Sequence, residues 1–90
     1  MPIISQQKKE KIQEQILYYL FEISPQSPFT SKIAEQIARD EEFTKFLILE
    51  LKSKNLIIEV NKNSKGIKYT KRRRWRLSEE AYKVYSKHQI

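Results

Sequence analysis

The chain contains no cysteine and only one histidine, His88. Without thiols there can be no disulfide framework, no thiol nucleophile and no Cys-containing zinc site, so packing alone must hold the fold and the cytoplasm is the expected compartment. A lone imidazole near the end of the chain has no second histidine or cysteine to complete a metal site, and neither a metal nor a cofactor is expected. Glycine is nearly as scarce, the one example being Gly66, which rules out a glycine-rich phosphate loop. Paired carboxylates occur at Glu41-Glu42 and Glu79-Glu80, where a place in the first turn of a helix explains them without catalysis. These absences argue against an enzyme. Long apolar runs are missing too. The opening MPIISQQKKEKIQ turns polar too soon for a signal peptide, and no stretch approaches the roughly 18 residues of a membrane span.

One further absence is local. Between Glu59 and Glu79 there is no acidic residue, and eight of the eighteen basic residues fall there: Lys62, Lys65, Lys68, Lys71, Arg72, Arg73, Arg74 and Arg76. The net charge of +7 is therefore concentrated in one segment, the rest of the chain holding ten basic against eleven acidic residues. A basic excess gathered in one place is the footprint of a polyanion binder, whereas the same charge scattered over the surface serves mainly solubility.

Ninety residues, 39% of them hydrophobic, suit a single domain over 1–90 that buries about 60–65% of its unfolded surface. Residues 6 to 23 read as a helix, with Ile12, Ile16, Tyr19, Leu20 and Ile23 on one face. Its last turns, ILYYLF, are apolar almost all round, so Leu17 and Phe21 serve either as deep packing or as part of a dimer seam. Pro25 and Pro28 break the helix. A second helix, capped by Thr30 or Ser31, runs to about Arg39 with Ile33, Ala34 and Ile37 inward. Asp40 caps a third, through Phe43, Leu47, Ile48 and Leu51 to Lys54, and Asn55 is placed to end it in left-handed geometry. Leu56 to Val60 is β-branched and apolar, a strand by composition.

The return strand alternates, with Ile67, Tyr69, Trp75 and Leu77 on one face and Lys68, Thr70, Arg72, Arg74 and Arg76 on the other, so one face can meet the core and the other a ligand. A tight turn at Ser64-Lys65 would pair Ile58 with Lys71, but a longer loop paired mainly at its base is expected. Trp75, on the same face as Leu77, belongs with the core; Tyr69, nearer the tip, serves either in hairpin packing or in stacking on a base. Ser78 caps a last helix carrying Ala81, Val84, Tyr85 and His88 along one face.

Three stretches, FTSKIAEQI, LELKSKNLIIEV and WRLSEEAY, in the order helix, helix, helix, strand, basic loop, strand, helix, make the chain resemble the winged helix-turn-helix superfamily. The likeness spans about residues 12 to 85 and is closest in pattern to small regulators of the MarR, ArsR and PadR kinds, particularly the short basic ones of archaea and their viruses and plasmids. It implies an α+β fold, mainly α, with three helices, a two-stranded basic wing and a C-terminal helix. It also implies transcription regulation through double-stranded DNA, with the third helix in the major groove and the wing on the backbone or minor groove. The wing contacts would then be Lys62, Lys65, Lys68, Tyr69, Lys71, Arg72, Arg73, Arg74 and Arg76, and the helix contacts Ser31, Lys32, Thr44, Lys45 and Lys52. A homodimer would form through the first and last helices, with Leu17, Tyr18, Phe21, Tyr82 and Tyr85 at the seam.

The third helix departs from the family habit. Its outward positions would be Glu42, Lys45, Phe46, Leu49, Lys52 and Ser53, with no Arg, Asn or Gln between Asp40 and Lys54. Phe46 and Leu49 either pack against the first helix or a partner subunit, or touch thymine methyl groups. Two other functions remain open on the same residues: a protein-interaction module anchored on Phe46 and Leu49, or binding of RNA or single strands through the basic ribbon.

Overall fold

A computed structural model describes residues 5–60 and 73–87. In chain order the elements are α1 (Gln6–Ile23), α2 (Thr30–Gln36), α3 (Glu41–Ser53), β1 (Ile57–Val60), β2 (Arg74–Leu77) and α4 (Glu79–Lys87). Among the described residues, four helices and one two-stranded antiparallel sheet give the mainly helical α+β class that the resemblance implies.

The helix boundaries follow local chemistry. Ser5, Asp40 and Ser78 each accept a hydrogen bond from the backbone N–H three residues on, at Lys8, Phe43 and Ala81. Each satisfies one of the donors that a helix start leaves unpaired. Glu41 and Glu42 lie in the first turn of α3, and Glu79 and Glu80 in that of α4, where the helix dipole favours negative charge. Asn55 takes φ 62°, and Leu56 N–H closes back on the Leu51 carbonyl at 3.0 Å, the six-to-one bond of a Schellman ending.

The second helix differs from expectation at both ends. It stops at Gln36, because Ala38 turns left-handed at φ 54° and Arg39 N–H bonds the Ala34 carbonyl at 3.0 Å. At its start the N-cap is Phe29, with no side-chain cap. The Thr30 oxygen instead accepts the indole N–H of Trp75 at 2.7 Å. Trp75 is fully buried, and a buried indole N–H requires an acceptor. The capping role therefore yields to a tertiary one.

The core forms where Ile12, Ile16, Leu17 and Leu20 of α1 meet Ile33 of α2 and Leu47, Ile48 and Leu51 of α3. Ile57, Trp75 and Leu77 of the sheet and Ala81 of α4 close it. Leu17, for which deep packing and a dimer seam were both open, lies in this core and is 8% exposed. Phe21 also turns inward, with its ring centroid 5.2 Å from that of Tyr82 and 5.8 Å from that of Tyr85. The contacts of Phe21 arise because α4 packs back across the end of α1. Val84 faces solvent.

The ladder pairs Ile57 with Leu77, Ile58 with Arg76, Glu59 with Trp75 and Val60 with Arg74. Trp75 thus sits within the sheet, and the tight-turn register, with Ile58 against Lys71, is not adopted. The other edge of β2 is also occupied: Phe29 bridges Arg74, and Trp75 N–H donates to the Pro28 carbonyl at 3.0 Å. Proline suits this edge because only its carbonyl is needed.

Replacing Thr30 with alanine would leave the Trp75 indole N–H buried without an acceptor. The expected cost is about 1–3 kcal/mol in urea denaturation, largely restored in Thr30→Ser, which keeps the oxygen. Equal stability of parent and Thr30→Ala would show that this bond does not hold the indole.

Candidate nucleic-acid interface

The outer face of α3 is as the sequence implies: Glu42, Lys45, Phe46, Leu49, Lys52 and Ser53 are all exposed. Thr44 is not part of it. It is fully buried, and its hydroxyl donates to the Asp40 carbonyl at 2.8 Å. A position on the inner side of the helix removes it from any contact with a ligand. Phe46 and Leu49 are 53% and 37% exposed, so they do not pack into α1. The approach from α1 is a lysine, with Lys9 Nζ 5.8 Å from the centre of the Phe46 ring.

Lys9 also helps fix the angle of α3. Its ammonium pairs with Glu50 at 3.1 Å, and the buried Gln13 amide donates to Glu50 at 3.2 Å and to the Leu47 carbonyl at 3.4 Å. Gln13 gave no signal in the sequence, since a glutamine beside an apolar stripe ordinarily faces water. This network neutralises Glu50, one of the acidic groups on a helix whose outer face carries two lysines.

At the far end of α3, Glu59 of β1 draws together residues from three segments. Its carboxylate accepts from Arg73 Nε at 2.9 Å and Arg73 Nη2 at 2.8 Å, a two-pronged pair, and lies 3.5 Å from Lys52 Nζ. The Arg73 guanidinium also lies 4.8 Å from the centre of the Trp75 ring. The hydrogen bonds from Arg73, helped by its charge and that of Lys52, hold the Glu59 carboxyl below the ordinary carboxylate range against the opposing effect of burial. Glu59 was visible in the sequence only as the last acid before the basic run. Its role needed the ladder.

The basic residues at and just before β2 divide according to the pleat. Arg73 shares the Trp75 side and reaches Glu59, whereas Arg74 turns to the connector between α1 and α2. Arg74 Nη1 donates to the Ser27 carbonyl at 3.1 Å, and its guanidinium lies 4.0 Å from the centre of the Phe29 ring. Arg76 lines a shallow cleft with Ser24, Pro25, Leu77 and Tyr82, and its Nη1 is 3.4 Å from the Leu77 carbonyl. The outward face of β2 is therefore partly covered by the connector at its base, where the alternation alone had left it open to a ligand. Ser31 is half-buried, and Lys32 is exposed beside Glu35 at 3.6 Å. Lys62, Lys65, Lys68, Tyr69, Lys71 and Arg72 lie outside the described residues, as does His88.

No protein-family model matches the chain, and no curated protein matches it. Solved structures do. MepR from a Staphylococcus aureus clinical isolate aligns over 89% of this chain at 22% identity with a TM-score of 0.70. Lactococcus lactis ZitR aligns over 98% at 24% identity and 0.68, and the Zalpha domain of Carassius auratus PKZ, in complex with Z-DNA, over 77% at 17% identity and 0.60. The chain has the winged helix-turn-helix fold.

At these identities the likeness is one of architecture. The chain spans 56% of the MepR and ZitR chains and covers 95% of the Zalpha domain, so it matches the winged-helix unit rather than the whole of the larger proteins. In winged-helix terms β1 and β2 are the root of the wing, and the Lys52–Glu59–Arg73 cluster joins that root to α3. Among the described residues no helix is long and apolar enough to cross a membrane, and no three His, Cys, Asp or Glu side chains gather as metal ligands.

The depressed Glu59 pKa has a defined sign. Its pairing stabilises the fold above the unfolded value near 4.5 and loses that effect as pH falls through the lower folded value. Glu59→Gln should therefore melt below the parent at neutral pH, by about 1 kcal/mol, with the gap closing under acid conditions. A gap independent of pH in thermal melts would exclude this role.

Proposed function

We propose that the chain is a DNA-binding transcription regulator that acts as a homodimer and engages double-stranded DNA through α3 and the basic wing. The observation that carries this reading is the continuity between the outer face of α3 and the wing root. Lys45 and Lys52 project from α3, Glu59 ties Lys52 to Arg73, and the chain leads directly into the segment holding Lys62, Lys65, Lys68, Lys71 and Arg72. A positive ribbon beginning beside an exposed helix matches a duplex, whose groove admits the helix while its phosphates take the ribbon. Support also comes from the shared fold, since the matching structures include a MepR–DNA complex, aligned over 96% of this chain with a TM-score of 0.70.

In this reading the wing lysines and Arg72 bind phosphate, joined by Arg73 when a phosphate displaces Glu59. Lys45 and Lys52 contact the backbone beside the groove, and Ser31 and Lys32 meet a neighbouring phosphate. Arg74 and Arg76 act mainly by holding the wing root to the connector. Tyr69 stacks at the wing tip. The dimer seam is carried by Tyr18 and Tyr82, which are 49% and 42% exposed, over the Phe21–Tyr85 stack.

About four neutralised phosphates per subunit would give a slope of log affinity against log salt of about −3.6, and changing Lys68, Lys71 and Arg72 to alanine should flatten it by about 0.9 for each phosphate left unneutralised. Anisotropy titration at several salt concentrations measures the slope, with RNA and single-stranded DNA as competitors. Salt-insensitive binding would refute the phosphate-led model, and stronger competition by RNA or a single strand would reassign the ligand. In sedimentation equilibrium the parent should be dimeric, and Tyr18→Glu combined with Tyr82→Glu monomeric. A monomeric parent would remove the homodimer from the proposal.

A further inference from the structure

We infer that Phe46 and Leu49 read thymine C5-methyl groups in the major groove, which gives the protein a preference for methyl-bearing duplex. This inference rests on the duplex-binding reading and adds to it a chemical basis for sequence preference. The first observation is exposure: the two side chains are 53% and 37% accessible although they lie on a helix whose other large apolar residues pack inward. Spacing is the second. Three residues apart on a helix, they form one small apolar surface. Three lysines surround it: Lys9 beside the Phe46 ring, Lys45 one turn before Leu49 and Lys52 nearly one turn after it, of which Lys9 is paired with Glu50 and Lys52 with Glu59. Glu42 borders the N-terminal side, and Glu50, one turn after Phe46, is held by Lys9 and Gln13, so it is the middle and end of α3 that can approach a polyanion.

A protein partner fits this surface less well. A stable protein interface buries about 800 Å² on each side around an apolar centre, whereas here two side chains stand among Lys, Glu and Ser. The major groove offers what the surface lacks: apolar methyl groups on thymine, flanked by phosphates that suit the lysines. The composition of α3 points the same way. It holds no Arg, Asn or Gln, the side chains that read guanine and adenine through paired hydrogen bonds, so apolar contact is the main base-directed chemistry its outer face can offer.

The test compares binding of the whole chain to an alternating adenine–thymine duplex and to the same duplex with deoxyuridine in place of every thymidine. This exchange removes the methyl groups and preserves base pairing. The expected result is affinity for the thymine duplex about tenfold higher, from about two buried methyl groups, and loss of the difference in Phe46→Ala/Leu49→Ala. Both residues are surface-exposed, so the variant should melt like the parent, and a thermal melt checks this. Equal binding of the two duplexes by the parent would overturn the inference while leaving duplex binding intact. A preference that persists in the double variant would overturn the assignment to these residues. Absence of binding to either duplex at low salt would remove the duplex-binding reading and this inference together, leaving a protein partner as the occupant of the surface.

Discussion

The buried Trp75 indole is the constraint on which the rest of the arrangement depends. Its ring fills the space between the sheet and the helices, its backbone N–H takes the Pro28 carbonyl, and its side-chain N–H takes the Thr30 hydroxyl. One residue thereby ties β2 to the connector and to the start of α2. With β1 on the other edge, the root of the wing is held on both sides.

Around that anchor the charged groups are arranged in two grades. Glu50 and Glu59 take up Lys9, Lys52 and Arg73 and set the geometry between α1, α3 and the sheet. Arg74 stabilises the connector through Ser27 and Phe29. The basic residues nearest the body therefore work in part as structural ties. Glu59 has a double effect: it orders Arg73 and Lys52 beside the helix, and it competes with any anion that approaches them. A phosphate that replaced the carboxylate would meet two cations already placed.

Much of the architecture was legible because it rests on local rules. Asp40 and Ser78 cap where a short polar residue precedes an amphipathic run, and Asn55 ends α3 because asparagine tolerates positive φ. Thr30 shows the limit of the same reasoning. Its position promised a cap, but a bond to an indole 45 residues away along the chain prevailed. Thr44 was likewise placed among the contact residues on chemical type, and the rotation of α3 against α1 turned it inward. Ala38 is a comparable case at a helix end, since alanine gives no sign of left-handed geometry.

The sequence alone determined the order of helices and strands, the concentration of charge after Glu59 and the apolar character of two outward positions on α3, because periodicity, capping and charge density are properties of neighbouring residues. Tertiary structure decided which charges are held. The division of Arg73 from Arg74, the pairing of Glu59 with Lys52, the burial of Leu17 and the exposure of Phe46 depend on register and helix rotation. Those are set by contacts between segments far apart in the chain, and a shift of one residue in a strand exchanges its two faces.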